Sequence, residues 1–246
     1  MNSNSTEVPE KDKFISFLHA LEGDIYFKQK FESFNIFEAV GMNHYEIRHS
    51  NALSVLLDPR SGLGVGDAIL KKFLRHFFAR YDAGKEHLMF ELASYEDVKV
   101  WREYKHIDLV ILSEINEQIF VIENKVKSSE SDGQLERYQK IVQEDFKGFR
   151  PFYIYLTPDE ESPTKDSWKP MSYQMLYDAL KGFINESKAE LTSDAIVFIE
   201  HYLVLLERKV IDDKDLFEKA SVLYEKHKAV VDFIIQKGLP EQQQRN

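Results

Sequence analysis

The stretch FVIENKVKSSE, residues 120–130, carries an apolar run directly into charged side chains. Residues 119–122 are apolar, and Glu123, Asn124 and Lys125 follow them without a break. Successive side chains of a β-strand point to opposite faces, so Glu123 and Lys125 share one face and Asn124 points to the other. A carboxylate and an ammonium at the end of a hydrophobic strand predict a polar site at the rim of a β-sheet.

The composition of the 246-residue chain predicts one folded domain, with or without a helical annex. Hydrophobic residues make up 43% of the sequence, which is enough for a packed core. There is no cysteine, and this excludes a disulfide scaffold, a thiolate nucleophile and a cysteine zinc site. The net charge of −10 argues against non-specific affinity for nucleic acid over the whole surface, but it leaves room for a local basic groove.

The sequence contains no window of roughly 18 consecutive apolar residues, the length that a membrane-spanning helix needs. The polar N-terminus also lacks the apolar core of a signal peptide. We therefore expect a cytoplasmic protein with no membrane partner. The oligomeric state stays open.

The apolar pattern around the opening stretch predicts an α/β fold, with a small mixed sheet flanked by helices. The predicted strands are residues 98–104, 107–112, 119–123 and 152–156. The predicted helices are residues 14–37 with an interruption at Gly23, 45–57, 68–81, 132–142, 172–183, 194–209 and 214–236. The short link 113–118 predicts that the second and third strands form a hairpin.

Asp108 stands at the start of the strand before Glu123, so this hairpin would bring both carboxylates and Lys125 to one end of the sheet. Two carboxylates, with water and a substrate phosphate, suit Mg²⁺ or Mn²⁺, which take oxygen ligands. Such an ion lowers the pKa of a bound water and neutralises charge on a phosphoryl oxygen. Lys125 would orient that water or stabilise the developing anion.

The order Asp108, then Glu123-Asn124-Lys125, resembles the signature of the PD-(D/E)xK nuclease superfamily, which is an acidic residue on one strand and (D/E)xK on the next. The proline of that signature is absent, since Ile107 precedes Asp108. Further segments, over roughly residues 40–185, resemble one bacterial branch of the superfamily that includes phage-defence-like proteins. These segments are EIRHSNALSVLLDP (46–59), GLGVGDAILKKFL (62–74), HIDLVI (106–111), FVIENKVKSSESDGQLERYQK (120–140), YLTPDE (155–160) and SWKPMSY (167–173).

The resemblance implies a restriction-endonuclease-like core and a metal-dependent nuclease that hydrolyses phosphodiester bonds in DNA, in phage defence or in DNA processing. It also implies two further site residues. Glu46, on a helix, would be a third acidic group at the metal, and Gln134 would lie near the site on the helix after the ExK strand. Residues 13–190 would form the nuclease-like domain, between a disordered tail at 1–12 and a C-terminal helical extension at 191–246 that is expected to be truncated.

Five basic residues are candidates for contacts with backbone phosphates, which give affinity without sequence preference. They are Lys99, Arg102, Lys105, Lys127 and Arg137. Two other classes of function stay open at this point: an inactive nuclease-like module that binds nucleic acid or a protein, and a phosphatase or nucleotide hydrolase with the same metal chemistry. The choice between DNA and RNA stays open too.

Other polar motifs are predicted to be structural. His44, Glu46 and His49 lack further ligands at the spacing of a closed zinc site. The glycines of SGLGVGD, residues 61–67, are predicted to form a turn, because no Gly-Lys-Ser/Thr follows as a phosphate-binding loop requires. We expect His49 to be buried and hydrogen-bonded, and Tyr138 to serve packing.

Overall fold

The computed structural model describes residues 9–23, 32–81, 84–128, 130–211 and 214–238. In chain order, the elements are α1 (Lys11–Gly23), α2 (Ile36–Ala39), α3 (Glu46–Leu57), α4 (Ala68–Tyr81), α5 (Lys85–Leu92), β1 (Lys99–Tyr104), β2 (Ile107–Ser113), β3 (Gln118–Asn124), α6 (Gln134–Asp145), β4 (Arg150–Thr157), β5 (Trp168–Ser172), α7 (Tyr173–Ser187), a 3-10 turn (Lys188–Glu190), α8 (Ser193–Lys209) and α9 (Lys214–Gly238).

These residues divide into two compact units. The larger unit, Asn35–Ile211, contains the sheet and the helices α2 to α8. The smaller unit is formed by the described residues before 35 and after 211, in which α1 packs on α9. An edge-to-face contact between Phe14 and Phe233, with ring centroids 5.7 Å apart, joins these two helices.

The five strands of the described chain form one mixed sheet in the order β1-β2-β3-β4-β5. The first three strands are antiparallel neighbours, while β3, β4 and β5 run parallel. The predicted hairpin is confirmed, because Leu109 of β2 pairs with Ile122 of β3. The predicted α/β fold with a small mixed sheet is confirmed as well, and the architecture is restriction-endonuclease-like.

Strands β2 and β3 are buried on both faces, which explains their nearly continuous apolar sequence. On one face, Phe120 and Ile122 pack into a large cluster with α3, α4, α7 and α8. On the other face, Ile119 and Val121 pack against Leu135, Tyr138 and Val142 of α6. Charged side chains therefore have room only at the ends of these strands.

The structure adds two elements that the sequence pattern did not predict, α5 and β5. Pro170 lies inside β5, and a proline has no N–H for a sheet ladder. The strand tolerates Pro170 because it lies at the edge of the sheet, next to β4 alone. Of the predicted helix 14–37, residues 24–31 lie outside the described part.

The compact unit also ends later than the predicted domain boundary at residue 190, because α8 packs Tyr202 and Leu206 into the main core. Of the predicted tail, residues 1–8 lie outside the described part, and Lys11 and Asp12 belong to α1. Among the described helices, none combines the length and the apolar character that a bilayer crossing demands.

The core makes a first prediction. Phe120 is fully buried, and its ring stacks on Phe152 with centroids 5.1 Å apart. Phe120→Ala should lower the free energy of unfolding by about 3–5 kcal/mol, because it removes a packed ring and leaves a cavity. Urea denaturation measures this change. The control Ile115→Ala, at a residue that is 78% exposed, should change it by less than about 0.5 kcal/mol. Equal effects of the two substitutions would contradict this account of the core.

Candidate active site

The hairpin brings Asp108 and Glu123 to the same end of the sheet. The ladder between β2 and β3 is paired up to Leu109 and Ile122, and it continues with a hydrogen bond of 2.8 Å from the Asn124 amide N to Asp108 Oδ2. This bond fixes one oxygen of Asp108 against the backbone beside Glu123. The backbone of the hairpin thus fixes the relative position of the two acidic residues.

One oxygen of the Glu123 carboxylate is fully engaged. Glu123 Oε1 accepts hydrogen bonds from Gln134 Nε2 at 2.6 Å and from Lys125 Nζ at 2.8 Å. Glu123 and Lys125 therefore share a face, as the strand periodicity predicts. The backbone N of Lys125 donates to Leu156 O at 2.9 Å, which extends the pairing with β4 by one residue and fixes the orientation of the lysine.

The other oxygen of the same carboxylate has no partner. Glu123 is 1% exposed, and within the described part of the chain nothing donates a hydrogen bond to Oε2. Of six buried side-chain atoms without a partner in this part, it is the one carboxylate oxygen. An unpaired buried carboxylate oxygen is costly. A divalent cation that takes oxygen ligands would satisfy it, so Asp108 and Glu123 fit a metal ion of this kind.

The electrostatics of the site point the same way. Burial raises the pKa of the Asp108 carboxyl to about 6, against the hydrogen bond from Asn124 and the charge of Lys125. Burial and, to a smaller extent, the charge of Asp108 raise the pKa of the Glu123 carboxyl to about 8, although Lys125 acts to lower it. Burial alone would lower the pKa of Lys125, but the hydrogen bond and charge of Glu123 raise it overall. Burial thus disfavours the charged form of both carboxyl groups, and a bound cation would favour it.

A chain of hydrogen bonds supports Gln134 from behind. Gln134 Nε2 also lies 3.0 Å from the Tyr138 hydroxyl, and that hydroxyl donates to the backbone O of His106 at 2.5 Å. Tyr138 thus packs in the core beneath the sheet, as expected, and also anchors the amide that holds Glu123. The signal for this role is the spacing of Gln134 and Tyr138, one helical turn apart.

Glu46 lies at the start of α3, and its carboxylate faces the segment after Lys125. Glu46 Oε1 accepts hydrogen bonds from the backbone N of Val126, Lys127 and Ser128 and from Ser128 Oγ. Burial alone would raise the pKa of Glu46, but these hydrogen bonds lower it overall. Among the described residues, no three His, Asp or Glu side chains are grouped to hold a metal ion. Glu46 is thus near the site, with its carboxylate engaged elsewhere.

The contacts of Asn124 could not be predicted from the sequence. Its side-chain amide donates to Ser50 Oγ at 3.1 Å and to Glu46 O at 3.2 Å, and it accepts from the Tyr173 hydroxyl at 2.5 Å. This network ties the end of β3 to α3 and α7. His49 is buried and hydrogen-bonded to the Tyr202 hydroxyl and to a backbone carbonyl, as expected, and burial lowers its pKa to about 4.

The basic residues do not lie together. Lys99 forms an ion pair with Glu114. In the sheet, Lys99 of β1 is paired with Leu112 of β2, and Leu112 is paired with Ile119 of β3. Lys99 therefore lies at the opposite end of the sheet from Glu123. Lys105 pairs with Asp145 at the far end of α6. Both lysines are thus engaged with surface carboxylates, and Lys99 also lies far from Glu123 along the sheet. The exposed residues Arg102, Lys127 and Arg137 remain as candidates.

Comparison with known families agrees with this geometry. A model of the PD-(D/E)XK nuclease superfamily matches residues 34–219 of the 246, so the chain belongs to that superfamily. Its members are generally nucleases and typically use divalent metal ions. Comparison with curated proteins and with solved structures found no significant match.

The raised pKa of Glu123 makes a prediction about stability. Folded Glu123 keeps its proton up to about pH 8, while the unfolded chain loses it near the ordinary value of 4.5. Between these values the folded state binds more protons, so wild-type stability falls as the pH rises. Glu123→Gln has no such proton. Its melting temperature in EDTA, measured relative to that of the wild type, should therefore rise from pH 5 to pH 8. A difference that stays constant or reverses would contradict the buried-carboxyl assignment.

Proposed function

We propose that this chain is a metal-dependent nuclease that hydrolyses phosphodiester bonds in DNA. The observation that carries the proposal is the unpaired, buried oxygen of Glu123, beside Asp108 and Lys125. Membership of the PD-(D/E)XK superfamily supports it at the level of nuclease chemistry. A module that only binds would have no use for a desolvated carboxylate that keeps one oxygen free.

In this proposal Asp108 and Glu123 hold Mg²⁺ or Mn²⁺. When bound, the ion lowers the pKa of a water and neutralises charge on the phosphoryl oxygens. The ammonium of Lys125, fixed 2.8 Å from Glu123 Oε1, orients the attacking water and offsets negative charge that develops on the phosphate. Gln134 keeps Oε1 of Glu123 occupied, so that Oε2 is the oxygen presented to the ion.

The exposed cations Arg102, Lys127 and Arg137 would contact the nucleic-acid backbone. Lys127 follows Lys125 by two residues, and Arg137 lies one turn along α6 from Gln134. Arg102 pairs in register with Leu109, the neighbour of Asp108. These three cations thus belong to segments next to β2 and β3 or to the helix that carries Gln134, and their positive charge would attract the phosphate backbone.

The direct test is cleavage of plasmid, linear DNA and RNA in Mg²⁺, Mn²⁺ or EDTA. The proposal predicts cleavage of DNA that requires the divalent ion. Retardation of DNA in a gel without cleavage in any ion would favour the inactive binding module. Release of phosphate from mononucleotides, with intact DNA, would favour a phosphatase.

Lys125 separates chemistry from binding. Lys125→Met should lower the single-turnover cleavage rate by about 10²–10³, by analogy with the loss of one donor to a developing anion. DNA affinity, measured in Ca²⁺ to suppress cleavage, should change little, because one lysine is a small share of the phosphate contacts.

The matched control for Lys125→Met is Lys99→Met, which removes the same charge from an exposed pair at the other end of the sheet. Such a pair contributes about 0–1 kcal/mol, and the control should cleave at the wild-type rate. Lys125→Arg should be impaired, because a planar guanidinium does not replace a compact ammonium. Wild-type cleavage by Lys125→Met would refute this role for the lysine.

Metal binding can be tested without activity. Mn²⁺ should raise the melting temperature of the wild type, because an ion that binds only the folded state stabilises it by about 2.7 kcal/mol at one hundred times its Kd. Asp108→Asn keeps an acceptor for the Asn124 amide but loses the charge, so the ion should stabilise it much less. The control Asp97→Asn alters a carboxylate that binds Ser113, at the other end of the sheet, and should respond like the wild type. An equal Mn²⁺ effect on all three proteins would place the ion elsewhere.

A further inference from the structure

The segment 126–128 directs three successive backbone N–H groups at a single point. The amide N atoms of Val126, Lys127 and Ser128 lie 2.9, 3.3 and 3.0 Å from Glu46 Oε1. Ser128 Oγ, which has one hydrogen to donate, lies 2.8 Å from each oxygen of the same carboxylate. Consecutive N–H groups that converge in this way form an anion-binding nest. We use the name "126–128 nest" for these donors.

The Glu46 carboxylate occupies this nest in the way that a phosphate group could occupy it. Both groups are anions with oxygens that accept several hydrogen bonds, and hydrogen bonds to a charged acceptor are the stronger kind. Lys127 and Ser128 are exposed, so a ligand from solvent can reach the nest. The nest begins one residue after Lys125, on the same segment.

Glu46 also lies beside the candidate active site. Its backbone O accepts a hydrogen bond from Asn124 Nδ2 at 3.2 Å, and the Asn124 amide N donates to Asp108 Oδ2 at 2.8 Å. The nest is therefore adjacent to the place where a scissile phosphodiester would bind.

We infer that the 126–128 nest is a binding site for a phosphate group of the nucleic acid, and that Glu46 occupies it in the free protein. The inference rests on the proposed function for the identity of the ligand. Glu46 leaves the nest when the phosphate enters. The free protein thus carries an internal competitor for its own substrate. A purely structural clamp would show the opposite behaviour, because removal of Glu46 would then loosen the segment.

The test is affinity for phosphate in EDTA, where neither cleavage nor metal binding contributes. The probes are inorganic phosphate and a short duplex DNA with or without a 5′-phosphate. Glu46→Ala should bind them at least about fivefold more tightly than the wild type, since removing a like charge in contact is worth that much even in bulk water. A gain with unphosphorylated DNA identifies an internal phosphate as the ligand, and a gain confined to 5′-phosphorylated DNA identifies a terminal one.

Two further variants exclude a general charge effect. Glu130→Ala removes a negative charge from the same loop, where Glu130 binds Thr164 and not the nest, so its affinity should change by less than about twofold because of screening. Ser128→Ala in the Glu46→Ala background removes one donor of the nest and should reverse part of the gain.

Glu46→Gln keeps an oxygen acceptor in the nest and loses the charge, so it decides the question if Glu46→Ala does not fold. It should also bind phosphate more tightly than the wild type. Unchanged or weaker binding by Glu46→Gln would overturn the inference and leave Glu46 as a clamp. Because these measurements are made in EDTA, they are independent of whether the wild type cleaves DNA.

Discussion

The structure depends on one unfavourable placement, a carboxylate at the buried end of a central strand. Moving an ionised carboxyl group out of water costs several kcal/mol unless it is paired or coordinated. Lys125 and Gln134 satisfy one oxygen of Glu123, and the other has no partner among the described residues. The arrangement is stable with an extra proton or with a cation, and a cation is what a phosphodiester hydrolase needs.

The contrast with the next residue shows that the missing partner is specific. Asn124 points to the opposite face of β3, where Ser50, the backbone of Glu46 and the Tyr173 hydroxyl engage its amide. The fold thus satisfies a buried polar group on one side of the strand, as buried groups generally require. On the other side, one residue earlier, it leaves an acceptor open. The end of β3 is therefore packed well enough to supply hydrogen-bond partners, and the open oxygen of Glu123 is not a result of loose packing.

The sequence predicted the parts of the site that depend on local patterns. Strand periodicity put Glu123 and Lys125 on one face, and the short link before Gln118 predicted the hairpin that brings Asp108 alongside. It could not predict that the Glu46 carboxylate binds the backbone of residues 126–128, because that contact joins segments about 80 residues apart. The sequence pattern did not predict β5, because Pro170 is unusual inside a strand and is tolerated here only at the sheet edge. It also placed Lys99 near the site, whereas the register of the sheet puts Lys99 at the other end.

The central claim is that Glu123 Oε2 is kept open for a divalent cation. Anomalous diffraction from crystals grown with Mn²⁺ tests it most directly. The account predicts an anomalous peak at metal–oxygen bonding distance, about 2.1 Å, from Glu123 Oε2 and near the Asp108 carboxylate. A crystal in which Mn²⁺ is ordered elsewhere, while Glu123 Oε2 binds a protein group or remains unpaired, would contradict it.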